Sequence, residues 1–119
     1  MEWTIVNYDS LMDNIKRIHF IGIGGSGMCP LAEILHHEGY ELSGSDMNEG
    51  ETLDRIKGYG IPVFMGHAAE NIKGAELVVY SAAVKETNPE RQAAKELGIP
   101  CIERSVMLGI VTRRYRRSI

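Results

Sequence analysis

Ile18-His19-Phe20-Ile21-Gly22-Ile23-Gly24-Gly25-Ser26-Gly27-Met28 decides the fold. Four of its first six residues are apolar, and Gly22, Gly24 and Gly27 fall on G-x-G-x-x-G spacing. An apolar helix pattern follows at once: Met28, Leu31, Ala32 and Leu35 stand at i, i+3, i+4 and i+7. A strand that runs through glycines into a helix can turn backbone N–H groups toward an anion. Each glycine has a job in such a loop. Gly22 allows the tight turn, Gly24 lets the backbone approach a diphosphate, and Gly27 lets the helix pack closely.

Outward from this stretch, strands alternate with helices. Strands are expected at Arg17–Ile21, Glu41–Ser45, Ile61–Met65, Leu77–Tyr80 and Ile99–Ile102. The helix from Met28 carries Pro30 in its first turn and stops at Gly39. A second helix covers about residues 51–58, with Leu53 and Ile56 inward, and a brief helical turn falls near Ala69–Ile72. Asn88 caps a third helix that starts at Pro89 and presents Ala93, Ala94 and Leu97 on one face before Gly98. A last helix from Arg104 or Ser105 is expected to bury Met107, Leu108 and Val111. The alternation implies a Rossmann-like α/β sandwich of three layers, with a mostly parallel five-stranded sheet. Residues 1–16 read as an arm, with a short helix after Asp9 or Ser10. Residues 17–113 form the domain and 114–119 a basic tail. Arg113, Arg114, Arg116 and Arg117 suit a solvated helix end, where cations complement the dipole.

Composition bounds the function. The chain has 119 residues, 44% apolar and 24% charged, with a net charge of −3. That is ordinary for one globular domain and argues against a general nucleic-acid binder. No apolar run approaches the roughly 18 residues of a membrane span, and the N-terminus has no signal-peptide pattern. Cys29 and Cys101 form no CxxC pair and no disulfide framework, so the expected location is the reducing cytoplasm.

Other chemistry-bearing residues have plain readings. His19 is expected as a strand histidine held by a hydrogen bond. His36 and His37 point about 100° apart on a helix and belong to a solvated face. Cys29 reads as a small packing residue at the pocket mouth and Cys101 as a core residue. The acidic sets around Asp9 and Glu51 are surface charge. No carboxylate pair or His/Cys cluster demands acid–base catalysis or a metal, so the chain has no expected catalytic or metal-binding residues.

The glycine loop does gain support from Asp46, which lies 22 residues beyond Gly24 at the end of the second strand. An acidic residue there suits the hydroxyls of a ribose. A diphosphate nucleotide is the expected ligand. The spacing does not separate NAD from a UDP-sugar, and general frequency favours NAD, as in an oxidoreductase or a redox sensor.

The glycine stretch also resembles the opening motif of the Mur ligases that act on UDP-N-acetylmuramate. Three further stretches agree in order. They are Gly39-Tyr40-Glu41-Leu42-Ser43-Gly44-Ser45-Asp46, Val79-Tyr80-Ser81-Ala82-Ala83-Val84 with Asn88-Pro89-Glu90, and Ile99-Pro100 with Arg104 and Met107-Leu108. The resemblance implies the family's N-terminal, UDP-sugar-binding domain. The complete enzymes activate the lactyl carboxylate with ATP and Mg and join it to an amine, in peptidoglycan precursor synthesis. The nearest branch adds L-alanine, and a sister branch adds a whole tripeptide. By this resemblance the diphosphate meets the backbone of Gly24, Gly25, Ser26, Gly27 and Met28, and Gly22 belongs to the same UDP-sugar site. Ser45 and Asp46 lie by the ribose or uracil, Ser81 and Ala82 border the crevice, and His67 and Arg104 stand on its rim. The family's P-loop domain is not in these 119 residues. The expectation is a chain that binds UDP-N-acetylmuramate, meets L-alanine and ATP only with further domains, and ligates nothing alone.

Overall fold

The computed structural model describes residues 12, 14–25 and 27–118, with side chains to residue 113. The helix expected after Asp9 or Ser10 falls outside these residues apart from Met12, which is buried. Strand β1 (Arg17–Ile21) leads through the glycine loop to α1 (Cys29–His37), β2 (Glu41–Asp46), α2 (Glu51–Gly58) and β3 (Val63–Met65). A single 3-10 turn (Ala69–Ile72) precedes β4 (Leu77–Tyr80), α3 (Pro89–Leu97), β5 (Cys101–Glu103) and α4 (Arg104–Ser118). Helix α4 continues through residues 114–118, the stretch expected as a tail.

The sheet is parallel at every pairing and ordered β3-β2-β1-β4-β5. Strand β1 is central and buried on both faces, as a parallel strand between helical layers must be. Side chains alternate along it. Ile18 and Phe20 face a large core with Leu31, Leu35, Leu53, Ile56, Met107 and Ile110. Ile21 faces a smaller one with Ile72, Val78, Ala93 and Ala94. Helices α1, α2 and α4 thus cover one face, and α3 with the 3-10 turn covers the other.

Local chemistry explains the element ends. Pro30 sits in the first turn of α1. The Asn88 side chain accepts hydrogen bonds from the N–H groups of Glu90 and Arg91, which caps α3. Gly98 closes that helix with φ +72°, a left-handed conformation that favours glycine. Strand β3 starts at Val63 rather than Ile61. Pro62 has no N–H for the ladder, although its carbonyl accepts from Gly44 N–H at 3.0 Å.

Two inward-facing expectations fail. Leu97 is 65% exposed and Leu108 is 43% exposed. The buried face of α3 is Glu90, Ala93 and Ala94, and Leu97 falls in the last turn, past the cover of the sheet. In α4 the inward stripe is Met107, Ile110 and Val111, which turns Leu108 outward. His36 and His37 are also not merely solvated, since their rings lie 5.0 and 6.0 Å from that of Tyr59.

The glycine loop leans on β2. A Cβ at Gly44 would stand 2.6 Å from Ile23 Cβ, a contact that neither backbone can relieve cheaply. Gly58, within α2, has open space around it. Gly44→Ala should therefore destabilise the fold by about 1–3 kcal/mol through overpacking. Gly58→Ala should be neutral or stabilise by up to about 1 kcal/mol. Urea titration of both variants checks this, and equal effects would refute the contact.

Candidate functional site

The strand order reverses between β1 and β4, and their C-terminal ends open a crevice there. Open α/β sheets place ligands at such a switch point. The crevice measures about 650 Å³ and is lined by Gly22, Gly24, Gly25, Asp46, His67 and Ser81, joined by the loop from Met47 to Leu53 and by Ala83 and Val84. A hollow of similar size, about 680 Å³, lies at the opposite edge around Lys16, Arg17, Glu41 and Glu76. It faces the strand starts, and among the described residues no helix begins at it, so the switch-point crevice is the better site.

The loop spends most of its described N–H groups on acceptors of the protein. Gly22 turns with φ +79°, and its N–H and that of Ile23 donate to the Ser45 carbonyl at 2.8 and 3.1 Å. Gly25 N–H donates to the Gly22 carbonyl, and the N–H groups of Met28 and Cys29 donate to the Gly25 carbonyl, all at 3.0 Å. Gly24 N–H donates to Asp46 Oδ2 at 2.9 Å. Asp46 Oδ1 also accepts from the N–H groups of Met47 and Asn48. Among the described residues, the N–H of Gly27 has no such partner.

This pattern revises the jobs of two glycines. A Cβ at Gly24 would meet Asp46 Oδ2 at 2.9 Å, so the space there belongs to the Asp46 carboxylate. A Cβ at Gly27 would meet Arg104 Nε at 2.9 Å and Cδ at 3.0 Å, so what packs against Gly27 is the Arg104 side chain rather than a strand. Arg104 comes from the start of α4, and among the described residues its guanidinium makes no hydrogen bond or ion pair. Gly27, the N-terminus of α1 and Arg104 together form the most anion-ready corner of the loop.

The other expected residues divide. Met28 is buried under the loop. Ala82 does not line the crevice, although Ser81, Ala83 and Val84 do. Ser26 lies outside the described residues. Ser45 is fully buried, with its hydroxyl turned into the protein. The contribution of Met47–Leu53 was not anticipated. The signal available was topological, because the loop after β2 must open on the same edge as the glycine loop.

Behind the crevice lies a polar cluster centred on Glu90. Glu90, His19 and Ser45 are each 0% exposed. Glu90 Oε1 accepts from His19 Nε2 at 2.6 Å and from Ser45 Oγ at 2.7 Å. Glu90 Oε2 accepts from Ala68 N–H at 3.1 Å and Asn71 Nδ2 at 2.9 Å. His19 Nδ1 reaches Ser43 Oγ, and His67 Nδ1 reaches Ser45 Oγ, both at 2.8 Å. Among the described residues no buried side-chain polar atom lacks a partner. Burial pushes the Glu90 carboxyl up, but the hydrogen bonds from His19, Asn71 and Ser45 outweigh it and hold the group at about 2. His19 is held by a hydrogen bond, as expected. Its partner was not anticipated, because Glu90 read as the opening of a helix. Cys29 is likewise a buried packing residue, and Arg55 Nη2 donates to its sulfur at 3.3 Å. Cys101 is only half-buried, beside α3 and not in the large core, and burial pushes its thiol up.

An all-parallel sheet with a glycine loop at its switch point defines a Rossmann-like domain of the kind that opens onto a nucleotide crevice. Residues 17–116 match the Mur ligase family, catalytic domain, and the chain belongs to the Mur ligase family. It is 52% identical over 108 residues to the UDP-N-acetylmuramate--L-alanine ligase of Legionella pneumophila (strain Corby), a match that covers 91% of this chain and 23% of that protein. The chain thus spans about a quarter of the length of such relatives. The UDP-N-acetylmuramate-alanine ligase structure from Thermotoga maritima matches with TM-score 0.80 and 34% identity, over 82% of this chain and 23% of that one. The UDP-N-acetylmuramate:L-alanyl-gamma-D-glutamyl-meso-diaminopimelate ligase from Neisseria meningitides matches with TM-score 0.70 and 32% identity, over 76% and 29%.

Two outcomes test this site. The Glu90 carboxyl sits at about 2 when folded, against an ordinary 4.5, so its ionised form stabilises the fold fully above 4.5 and that contribution fades as the pH falls toward 2. Glu90→Gln should cost about 2–4 kcal/mol near neutral pH. In urea titrations at several pH values, the gap to the unsubstituted chain should narrow across that acid window. A gap that stays constant would contradict the assignment. Separately, Gly27→Ala should displace Arg104 without unfolding the chain. Gly27→Ala and Arg104→Ala should weaken UDP binding by similar factors, and the double variant should be no weaker than either. Additive losses by calorimetry would mean that the two residues act apart.

Proposed function

We propose that residues 17–113 form the UDP-N-acetylmuramate-binding domain of a ligase that joins the lactyl carboxylate to L-alanine at the expense of ATP, a step of peptidoglycan precursor synthesis. The carrying observation is the corner where Arg104 packs on Gly27 at the head of α1; neither residue lines the switch-point crevice, but Gly24 and Gly25 of the same loop do. The diphosphate is assigned to this corner. There the Gly27 N–H, the helix dipole and a planar guanidinium can each hold oxygens. The nucleoside is assigned to the side lined by Asp46, His67 and Ser81. Gly22, Gly24 and Gly25 shape the floor, and Ser45 and Met28 support it from behind. Similarity supports the L-alanine branch over the tripeptide branch, because among solved structures the L-alanine ligase of Thermotoga maritima matches with TM-score 0.80 and 34% identity, and the tripeptide ligase of Neisseria meningitides with 0.70 and 32%.

The amide-forming chemistry is assigned to parts of the ligase beyond this sequence. Among the described residues no group of three or more His, Cys, Asp or Glu side chains is placed to hold a metal ion. The glycine loop has no lysine for a nucleotide triphosphate. ATP and Mg are therefore proposed for the complete enzyme. The chain alone is proposed to bind without ligating, and to have neither nucleic-acid nor membrane partners. Two free cysteines suit the cytoplasm, the proposed location.

Calorimetric titration of the 119-residue chain tests this reading. UDP-N-acetylmuramate and UDP should bind and NADH should not. The reverse order would replace the proposal with a dinucleotide-binding domain. Phosphate release from ATP by the pure chain, with both other substrates present, would refute the division of labour.

A further inference from the structure

One wall of the crevice has its hydrogen-bonding sense set from inside the protein. His67 lines the crevice and its side chain is 19% exposed. Its Nδ1 edge faces inward, 2.8 Å from Ser45 Oγ and 3.4 Å from Glu90 Oε2. Ser45 has one hydroxyl proton and donates it to Glu90 Oε1 at 2.7 Å. A hydroxyl whose proton is committed can only accept at its other contact. The proton between His67 and Ser45 must therefore sit on Nδ1. In a neutral imidazole that leaves Nε2 bare, as an acceptor. Glu90 cannot reverse this order. Its other oxygen is engaged by Ala68 N–H and Asn71 Nδ2, and Oε1 also accepts from His19 Nε2.

We propose that Glu90 is a positioning residue for the crevice: through Ser45 it holds His67 with the proton on Nδ1, so that Nε2 meets the ligand as an acceptor. This rests on reading the crevice as the nucleotide site, and it narrows that reading. The ligand atom against His67 has to be a hydrogen-bond donor, namely a ribose hydroxyl or the imide N–H of a uracil-type base. A phosphate oxygen is excluded there and goes to the Gly27 and Arg104 corner. The His67 wall of the crevice and the neighbouring Gly27 and Arg104 corner then select opposite hydrogen-bonding partners, which fixes the direction in which a nucleoside diphosphate lies.

A purely structural cluster would hold the fold together without fixing this proton. Ser43 supplies the control. It lies on the same strand and in the same cluster, reaches His19 Nδ1 at 2.8 Å, and among the described residues makes no hydrogen bond to His67. Long-range 1H–15N spectra of the imidazoles report which nitrogen carries the proton. At about pH 8, above the ordinary imidazole range, His67 of the unsubstituted chain should show the Nδ1–H pattern. Ser45→Ala should move His67 toward the Nε2–H form and weaken UDP binding by about fivefold, the worth of one neutral hydrogen bond. Ser43→Ala should leave the His67 pattern unaltered and UDP affinity within about twofold, since it removes no bond to His67. An Nε2–H pattern at His67 in the unsubstituted chain would overturn the proposal, whether or not Ser45→Ala folds. So would a folded Ser45→Ala variant with pattern and affinity unchanged. If the unsubstituted chain shows Nδ1–H but does not bind UDP, the reading of the crevice fails while the proton assignment stands.

Discussion

The buried Glu90 carboxylate is the constraint on which the thinner half of this fold depends. A carboxylate removed from water is tolerated only if its oxygens are satisfied. Here four hydrogen bonds do so, from β1, β2, the segment after β3 and the 3-10 turn. The head of α3 adds its dipole, since Glu90 lies in the first turn behind the Asn88 cap. One side chain thereby joins the central strand, its neighbour, an irregular connection and a helix. The apolar cluster on this face is small, namely Ile21, Ile72, Val78, Ala93 and Ala94. Directional polar contacts supply specificity there that a few small apolar side chains would not.

The opposite face is built by another principle. Ile18 and Phe20 of β1 meet a broad apolar layer from α1, α2 and α4, and among the described residues no charged residue on this face is buried. Burial there is non-directional and scales with area. The glycine loop sits where the two regimes meet. Its floor is tied to β2 by backbone bonds to Ser45, and the Ser45 side chain belongs to the Glu90 cluster on the far side. The position of the loop and the buried proton order are therefore coupled through one residue.

The same arrangement changes what the glycine motif means. Most of the described loop N–H groups are spent on carbonyls of the loop and of Ser45, and the Asp46 carboxylate holds that of Gly24. An anion at this edge must rely on the Gly27 and Arg104 corner, or displace Asp46. The motif guarantees a tight, close-packed turn. It does not by itself guarantee a row of open donors.

Read alone, the sequence determined the element order, the parallel α/β class, the helix caps and the glycine turn. These are local matters: hydrophobic period, the missing N–H of proline, and a left-handed turn open to glycine. The resemblance carried by four ordered motifs also pointed to the right family. The tertiary structure alone decided where Glu90, His19 and Ser45 point. His19 and Ser45 are 71 and 45 positions from Glu90 along the chain, and nothing local marks a helix-opening glutamate as buried. It alone placed Arg104 on Gly27, turned Leu97 and Leu108 to solvent, and gave Asp46 to Gly24. Each depends on how distant elements are stacked, and a one-dimensional pattern does not carry that information.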